Sequence, residues 1–117
     1  MDELPVFLMA HLMEATCDDR ELAAQVVGVF LNDIPVQLES LDAALKSSDA
    51  KTAERVAHSI KGASATVGGE RLRQVALECE AFGREKQLDK LGERVPELRA
   101  AYEELAQALR DEGFSGE

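Results

Sequence analysis

The sequence predicts an all-α protein built from packed amphipathic helices. Apolar residues recur at steps of three and four along five segments, and no segment shows the period-two alternation of a half-buried strand. The connections between segments are short, so helices that follow one another are expected to be antiparallel neighbours. With 117 residues, 45% of them apolar and among them one Tyr, four Phe and no Trp, the chain is expected to form one domain with an aliphatic core.

The ends of the helices are marked by capping residues. Asp18 and Glu21 have the spacing of a capping box, which places the start of the second helix there. Asp49 is a plausible N-cap of the third helix, and Gly68 with the glycine after it should end that helix. Residues 113–117 are expected to fray. The predicted helices cover residues 3–15, 18–46, 50–67, 70–86 and 89–111.

Charge and cysteine content limit the possible partners and setting. The formal net charge of −10 argues against a nucleic-acid partner, because phosphate backbones require a basic face. Cys17 and Cys79 lack CxxC spacing and are expected to be reduced in a cytoplasmic protein. There is no signal peptide and no 18-residue apolar run, which predicts a soluble chain with no membrane contact. A monomer is expected, because the bundle uses each apolar stripe.

One stretch of the third helix predicts chemistry. Lys61, Gly62 and Ala65 follow His58 by three, four and seven residues, so all four share one side of the helix. A glycine in mid-helix costs about 1 kcal/mol relative to alanine. Gly62 is therefore expected to serve access, because another surface can approach the imidazole closely there. His11 lies on the apolar stripe of the first helix with no cation or glycine beside it, and is expected to be structural.

The run from His58 to Gly68, His-Ser-Ile-Lys-Gly-Ala-Ser-Ala-Thr-Val-Gly, resembles a known signature. It matches the pattern His-x-x-Lys-Gly-x-Ser-x-x-x-Gly of histidine-containing phosphotransfer (HPt) domains, which fixes several residue types without a gap. Members of that family are four-helix bundles that relay a phosphoryl group between aspartates of receiver domains. The resemblance therefore implies an antiparallel up-down four-helix bundle of the second to fifth helices, with the short N-terminal helix covering one end.

The resemblance also implies roles for individual residues. His58 would accept the phosphoryl group on Nε2, Lys61 would stabilise the phosphate, and Gly62 would admit the receiver domain. Ser64 matches a small polar position of the signature. A lysine one turn away also suits the chemistry itself, because an ammonium group favours a neutral imidazole and can pair with phosphate oxygens. Three further residues are expected to flank the site as docking contacts: Arg55, Ser59 and Ala65.

A polar residue of the fourth helix is expected to hydrogen-bond the other ring nitrogen and so fix the tautomer of His58. In the family a residue of that helix often does this, and Glu80 lies at about the right distance along the chain. One step of helix rotation would place Glu78 or Cys79 there instead. The sequence leaves that choice open.

Missing motifs indicate what the protein does not do alone. There is no GxGxxG or GxxxxGK[ST] phosphate loop and no acidic cluster laid out like a receiver's metal site. The chain is therefore predicted to use no ATP, to hold no metal or cofactor of its own, and to act as a phosphocarrier rather than an enzyme. The expected partners are a hybrid sensor histidine kinase and receiver domains, which would bring the aspartate and Mg²⁺.

This hypothesis has three alternatives. A helical docking module that accepts no phosphate is disfavoured by the intact His58 and Lys61. A di-metal bundle needs Glu-x-x-His pairs on facing helices, whereas Glu54 precedes His58 by four residues. An excised N-terminal phosphotransfer domain of a chemotaxis-type kinase, which carries a similar His-Ser-Ile-Lys-Gly run, stays open.

Overall fold

The structure, a computed structural model, describes residues 4–115. Within that range the chain forms five α-helices and no strand, which confirms the all-α class. None of the helices in this range is long and apolar enough to cross a membrane. The helices are α1 (Met9–Ala15), α2 (Arg20–Lys46), α3 (Ala50–Thr66), α4 (Glu70–Arg84) and α5 (Leu88–Asp111).

The four long helices pack as a bundle around an aliphatic core. Both α2 and α4 pack against α3 and against α5. Two ion pairs show that α3 and α4 are antiparallel. Glu54 pairs with Arg84, whereas Lys61, later in α3, pairs with Glu80, which comes earlier in α4. The short α1 packs on α2 and α3 at the end where α3 turns into α4. Fully buried core side chains include Val27, Ile34, Leu41, Ile60, Leu72, Leu98 and Leu105.

The turn from α3 to α4 depends on Gly68. This residue has a φ of 81°, and the N–H of Gly69 donates to the Ser64 carbonyl at 2.8 Å, which is the hydrogen bond of a Schellman motif. A Cβ on Gly68 would collide with the carbonyl oxygen of Leu8, whose N–H donates to the Gly68 carbonyl at 2.9 Å. Gly68 therefore ends α3, as predicted, and also lets the N-terminal segment lie against the turn.

The turn after α4 contains a residue that is poorly suited to its backbone conformation. Lys86 has a φ of 61°, and the N–H of Gln87 closes the turn onto the Phe82 carbonyl at 2.8 Å. An L-residue in this left-handed region pays a steric cost of about 1–2 kcal/mol that glycine avoids.

We expect Lys86→Gly to raise the free energy of unfolding by about 1 kcal/mol, because glycine relieves this cost but adds freedom to the unfolded chain. Urea denaturation followed by circular dichroism measures it. The control is Lys90→Gly in the first turn of α5, where glycine should be destabilising by up to about 1 kcal/mol. A Lys86→Gly variant no more stable than the wild type would contradict the prediction.

The first helix begins later than predicted. It was expected over residues 3–15 but starts at Met9, and residue 3 itself lies outside the described residues. Two effects keep the preceding residues out of the helix. Pro5 disfavours the helical conformation of the residue before it. The Leu4 carbonyl also accepts hydrogen bonds from the Arg71 guanidinium, and the Pro5 carbonyl accepts one from the backbone N–H of Arg71.

The N-cap of α2 is also displaced by one residue. Asp19, not Asp18, accepts hydrogen bonds from the N–H groups two and three residues on, at 3.0 and 3.1 Å. Asp18 has a φ of 58° and belongs to the turn that ends α1, so it cannot begin the next helix. The predicted cap of α3 is confirmed, because the Asp49 carboxylate accepts from the N–H of Thr52 at 3.1 Å.

The residues after α5 are not frayed as expected, as far as the structure describes them. Phe114 is buried, and the Arg20 guanidinium lies over its ring at 4.5 Å from the centroid. Arg20 also donates to the carbonyl of Glu112. The aromatic side chain directly after Gly113 therefore anchors the C-terminal segment on the start of α2. Residues 116–117 lie outside the described part.

Helices α3 and α4 approach closely because a glycine faces the crossing. A Cβ built on Gly83 would lie 3.0 Å from both the Cα and the backbone nitrogen of Glu54. That distance is shorter than most carbon contacts, so any other residue here would require the Glu54 backbone to shift by a few tenths of an ångström. The close approach brings the side chains of α4 against the outward face of α3.

Candidate functional site

The candidate site is centred on His58, halfway along α3. Its side chain is 65% exposed, and its Nδ1 lies 2.8 Å from Oε2 of Glu80 on α4. The Glu80 side chain is only 6% exposed. An ionised carboxylate can only accept a hydrogen bond, so Nδ1 carries the proton and Nε2 keeps a lone pair. The contact with Glu80 thus fixes the tautomer of the imidazole.

The protonation state of Glu80 follows from its neighbours. Burial alone would raise the pKa of this carboxyl, but the hydrogen bonds from Lys61 and His58, and their positive charge, lower the pKa below its ordinary value of 4.5. Glu80 is therefore ionised at neutral pH, as the tautomer of His58 requires.

Two cations complete the cluster. Lys61 Nζ lies 2.7 Å from Oε1 of Glu80, so the carboxylate bridges the lysine and His58. The Arg84 guanidinium lies 3.3 Å from Oε2 of Glu80 and also 3.3 Å from Glu54, one turn before His58. Sequence reasoning missed Arg84. The available signal was its spacing, because it follows Glu80 by four residues and so shares a helix face with it.

The rotation of α4 about its axis decides which of its residues faces His58, the question that the sequence left open. Glu80 faces His58, whereas Glu78 points to α5 and pairs with Arg94 at 2.6 Å. Cys79 is fully buried, and this burial raises the pKa of its thiol to about 11. Neither cysteine is in a disulfide.

The predicted docking residues share an open face around the imidazole. A Cβ on Gly62 would meet no heavy atom within 4 Å, so the surface beside His58 has room for another molecule. The other three residues of this face are exposed: Arg55, Ser59 and Ala65. Ser64 is not part of it. That side chain is fully buried and its hydroxyl donates to the Ile60 carbonyl at 2.6 Å, which makes it a packing residue.

Two surfaces that the sequence did not reveal border this face. On one side, an open groove of about 400 Å³ beside His58 is lined by Lys51, Glu54, Arg55 and Glu80. On the other side an apolar groove lies between α2 and α3, and Val29 in it is 68% exposed. The available sequence signal for this second surface was Val29 itself, which follows Val26 by three residues and so shares a helix face with it.

Comparison with known proteins places the chain in a family. A family model described as the Hpt domain matches residues 25–108. The chain belongs to the Hpt domain family. This confirms the resemblance seen in the His58 to Gly68 stretch, and it supports a histidine phosphotransfer role in two-component signalling. Hpt proteins of this kind are carriers rather than ATP-dependent kinases.

Relatives agree with this assignment. This Hpt domain is 28% identical over 93 residues to the phosphorelay intermediate protein rdeA of Dictyostelium discoideum. The match covers 80% of this chain but 37% of the relative, so the chain spans little more than a third of that protein's length.

Two solved structures share the fold. The histidine-containing phosphotransfer protein B (HptB) of Pseudomonas aeruginosa PAO1 matches with a TM-score of 0.86 at 23% identity, over 94% of this chain and 96% of its own. The HPT domain of the Hpt sensor hybrid histidine kinase from Shewanella matches with a TM-score of 0.79 at 19% identity, over 93% and 94%. At these identities the likeness establishes the helical-bundle fold of this Hpt domain.

The shared carboxylate predicts a pH dependence of stability. Because the pKa of Glu80 is lower in the folded chain than its ordinary 4.5, its contribution is fully present above about pH 4.5 and is lost as the pH falls through the folded-state pKa. We expect Glu80→Gln to lower the unfolding free energy at neutral pH by about 1–3 kcal/mol.

The difference from wild type should shrink in acid, as urea titrations across pH would show. Glu54→Gln is the matched control, because this carboxylate has the same length but lies nearer the surface against Arg84. Parallel stability–pH curves for the wild type and Glu80→Gln would contradict the prediction.

Proposed function

We propose that the protein is a phosphocarrier of a two-component phosphorelay. His58 accepts a phosphoryl group on Nε2 from a receiver-domain aspartate, or from a hybrid sensor histidine kinase, and passes it to another receiver aspartate. The observation that carries this proposal is the exposed imidazole whose Nδ1 is held 2.8 Å from a buried carboxylate, with Lys61 on the other carboxylate oxygen. The proposed setting is the cytoplasm.

The geometry suits phosphoryl transfer from an acyl phosphate. The lone pair of Nε2 attacks phosphorus, the new N–P bond forms, and the P–O bond to the receiver aspartate breaks, so the aspartate carboxylate leaves with that electron pair. Positive charge grows on the ring as the N–P bond forms. Glu80 stabilises this charge through the Nδ1–H hydrogen bond, without needing to move.

Lys61 has different partners before His58 is phosphorylated (the empty state) and after it is phosphorylated (the loaded state). In the empty state its ammonium pairs with Oε1 of Glu80. In the loaded state it turns on its flexible stem to pair with the phosphoryl oxygens. Arg84 then remains on Oε2 of Glu80, so the buried carboxylate keeps a cationic partner while Lys61 is engaged.

The receiver is proposed to dock over the open face around Gly62. Arg55, Ser59 and Ala65 flank the contact, and the apolar groove beside Val29 extends it toward α2. The receiver supplies both the aspartate and the Mg²⁺ that neutralises phosphoryl charge.

Lys61→Ala tests the role of the ammonium group. We expect transfer to His58 to slow about ten- to a hundredfold and the phosphohistidine to hydrolyse faster, because one charge-assisted contact to the phosphoryl group is lost. Quenched time courses with a phosphorylated receiver measure the transfer rate and the phosphohistidine lifetime. Lys90→Ala on α5 is the control and should transfer at the wild-type rate. Equal rates for Lys61→Ala and the wild type would remove Lys61 from the mechanism.

The proposed function itself is tested by phosphotransfer profiling against every receiver domain of the source genome. A cognate phosphorylated receiver should label the chain with an acid-labile, base-stable phosphate that mass spectrometry maps to His58. Receivers that bind the chain without ever labelling it would instead identify a docking module that accepts no phosphate.

A further inference from the structure

The second histidine of the chain is more accessible than its position in the sequence suggested. His11 was expected on the buried stripe of α1, but its side chain is 47% exposed, and the adjacent Leu12 fills the buried position instead. The ring does not pack into the core. Its Nδ1 lies 3.2 Å from Oε2 of Glu70, the first residue of α4.

The surroundings of His11 repeat the order of groups found at His58. Glu70 is partly buried, and its other oxygen, Oε1, lies 3.6 Å from Nε of Arg73. An exposed imidazole, a carboxylate on its Nδ1 and a cation on the far carboxylate oxygen thus occur twice in the chain. The two sites differ in their glycines, because Gly62 beside His58 is exposed, whereas Gly68 is buried in the turn and a Cβ on it would lie 3.5 Å from the Cβ of His11.

We propose that His11 is a second phosphoryl-acceptor site, open to small donors with a labile P–N or acyl P–O bond. Glu70 holds the proton on Nδ1, which leaves the lone pair on Nε2. With phosphoramidate, that lone pair forms the N–P bond, the donor's P–N bond breaks, and ammonia leaves with the electron pair. Glu70 stabilises the positive charge that grows on the ring, and Arg73 balances the charge of the Glu70 carboxylate.

This site is separate from His58 and does not depend on the proposed relay. Thr66, the last residue of α3, lies eight residues beyond His58, or about 12 Å along the helix axis at 1.5 Å per residue, and Gly68, which adjoins His11, lies in the turn that follows. A small donor needs no docking surface, so it can reach His11 without the open face around Gly62.

The test uses the full chain with His58→Gln, which leaves His11 as the one histidine. The variant is incubated with phosphoramidate, and acid-labile phosphate is followed by intact mass and phosphorus NMR. We expect one phosphoryl group per chain, on His11, formed about tenfold faster than on N-acetylhistidine amide under the same conditions. Adding Glu70→Gln to this variant should lower the labelling rate of His11 about tenfold. The His11→Gln, His58→Gln double variant should take up none.

Two outcomes would overturn the proposal. One is labelling of His11 no faster than N-acetylhistidine amide, and the other is a rate that Glu70→Gln leaves unchanged. If Glu70→Gln does not fold, Arg73→Gln replaces it, because this variant removes only the cation. Arg73→Gln should slow the labelling of His11 while the circular dichroism spectrum stays helical. An unchanged labelling rate in Arg73→Gln would contradict the proposal. Failure here leaves the proposed function intact, since receiver-dependent labelling of His58 is measured separately.

Discussion

We expect the His58→Gln variant to accept no phosphoryl group from a phosphorylated receiver domain. The glutamine amide nitrogen has no free lone pair with which to attack phosphorus, so the loss is complete rather than partial. The fold should survive, because the substituted side chain lies on the surface and its amide can still donate toward Glu80. Receiver-dependent labelling, followed with radioactive phosphate, measures the effect.

The matched control for this experiment is His11→Gln. Both substitutions remove one exposed imidazole that faces a carboxylate, but only the first removes the group on the receiver-docking face. His11→Gln should therefore accept phosphate from the receiver at the wild-type rate. If His58→Gln were still labelled by the receiver, His58 would not be the acceptor.

The second large effect is expected from Gly62→Leu, which should change stability and function in opposite directions. The new side chain meets no heavy atom within 4 Å at its Cβ, and leucine favours the helix by about 0.8 kcal/mol over glycine, so the free chain becomes more stable. The same side chain fills the space through which the receiver reaches His58. Receiver affinity should fall about ten- to a hundredfold.

Gly92→Leu is a close control for this pair of measurements. Gly92 also lies inside a helix, and a Cβ there also meets no heavy atom within 4 Å, but it belongs to α5. The control should gain similar stability in thermal denaturation and keep full affinity for the receiver in a titration. Unchanged affinity in Gly62→Leu would show that the receiver does not dock over this face.

Much of the fold could be predicted from local signals. The three- and four-residue spacing of apolar residues placed all five helices, and Asp49 and Gly68 marked the ends of α3. The errors arose where distant parts of the chain meet. The start of α1 depends on Arg71, and the packing of Phe114 depends on Arg20, almost a full chain length away. No local pattern encodes such contacts.

The candidate site divides in the same way. His58 and Lys61 share a helix face by spacing alone, so their proximity followed from the sequence. The contact between Glu80 and His58 depends on how far α4 is rotated against α3, and neighbouring residues offered other solutions. Packing of the whole bundle decides that rotation. The contact of Arg84 with Glu80, and the place of Val29 in an apolar groove, likewise depend on tertiary packing and could not be predicted from the sequence.

The glycine at the α3–α4 crossing controls the geometry of the His58 site from outside the docking face. Gly83 follows Glu80 by three residues, nearly one turn, and only the lack of one carbon atom there allows the two helix axes to come so near. A residue with a Cβ there is expected to shift α3 against α4 by a few tenths of an ångström, and so to alter the 2.8 Å contact that orients the imidazole. Evolution or design could thus tune the reactivity of the ring from behind it, leaving every group that meets the partner unaltered.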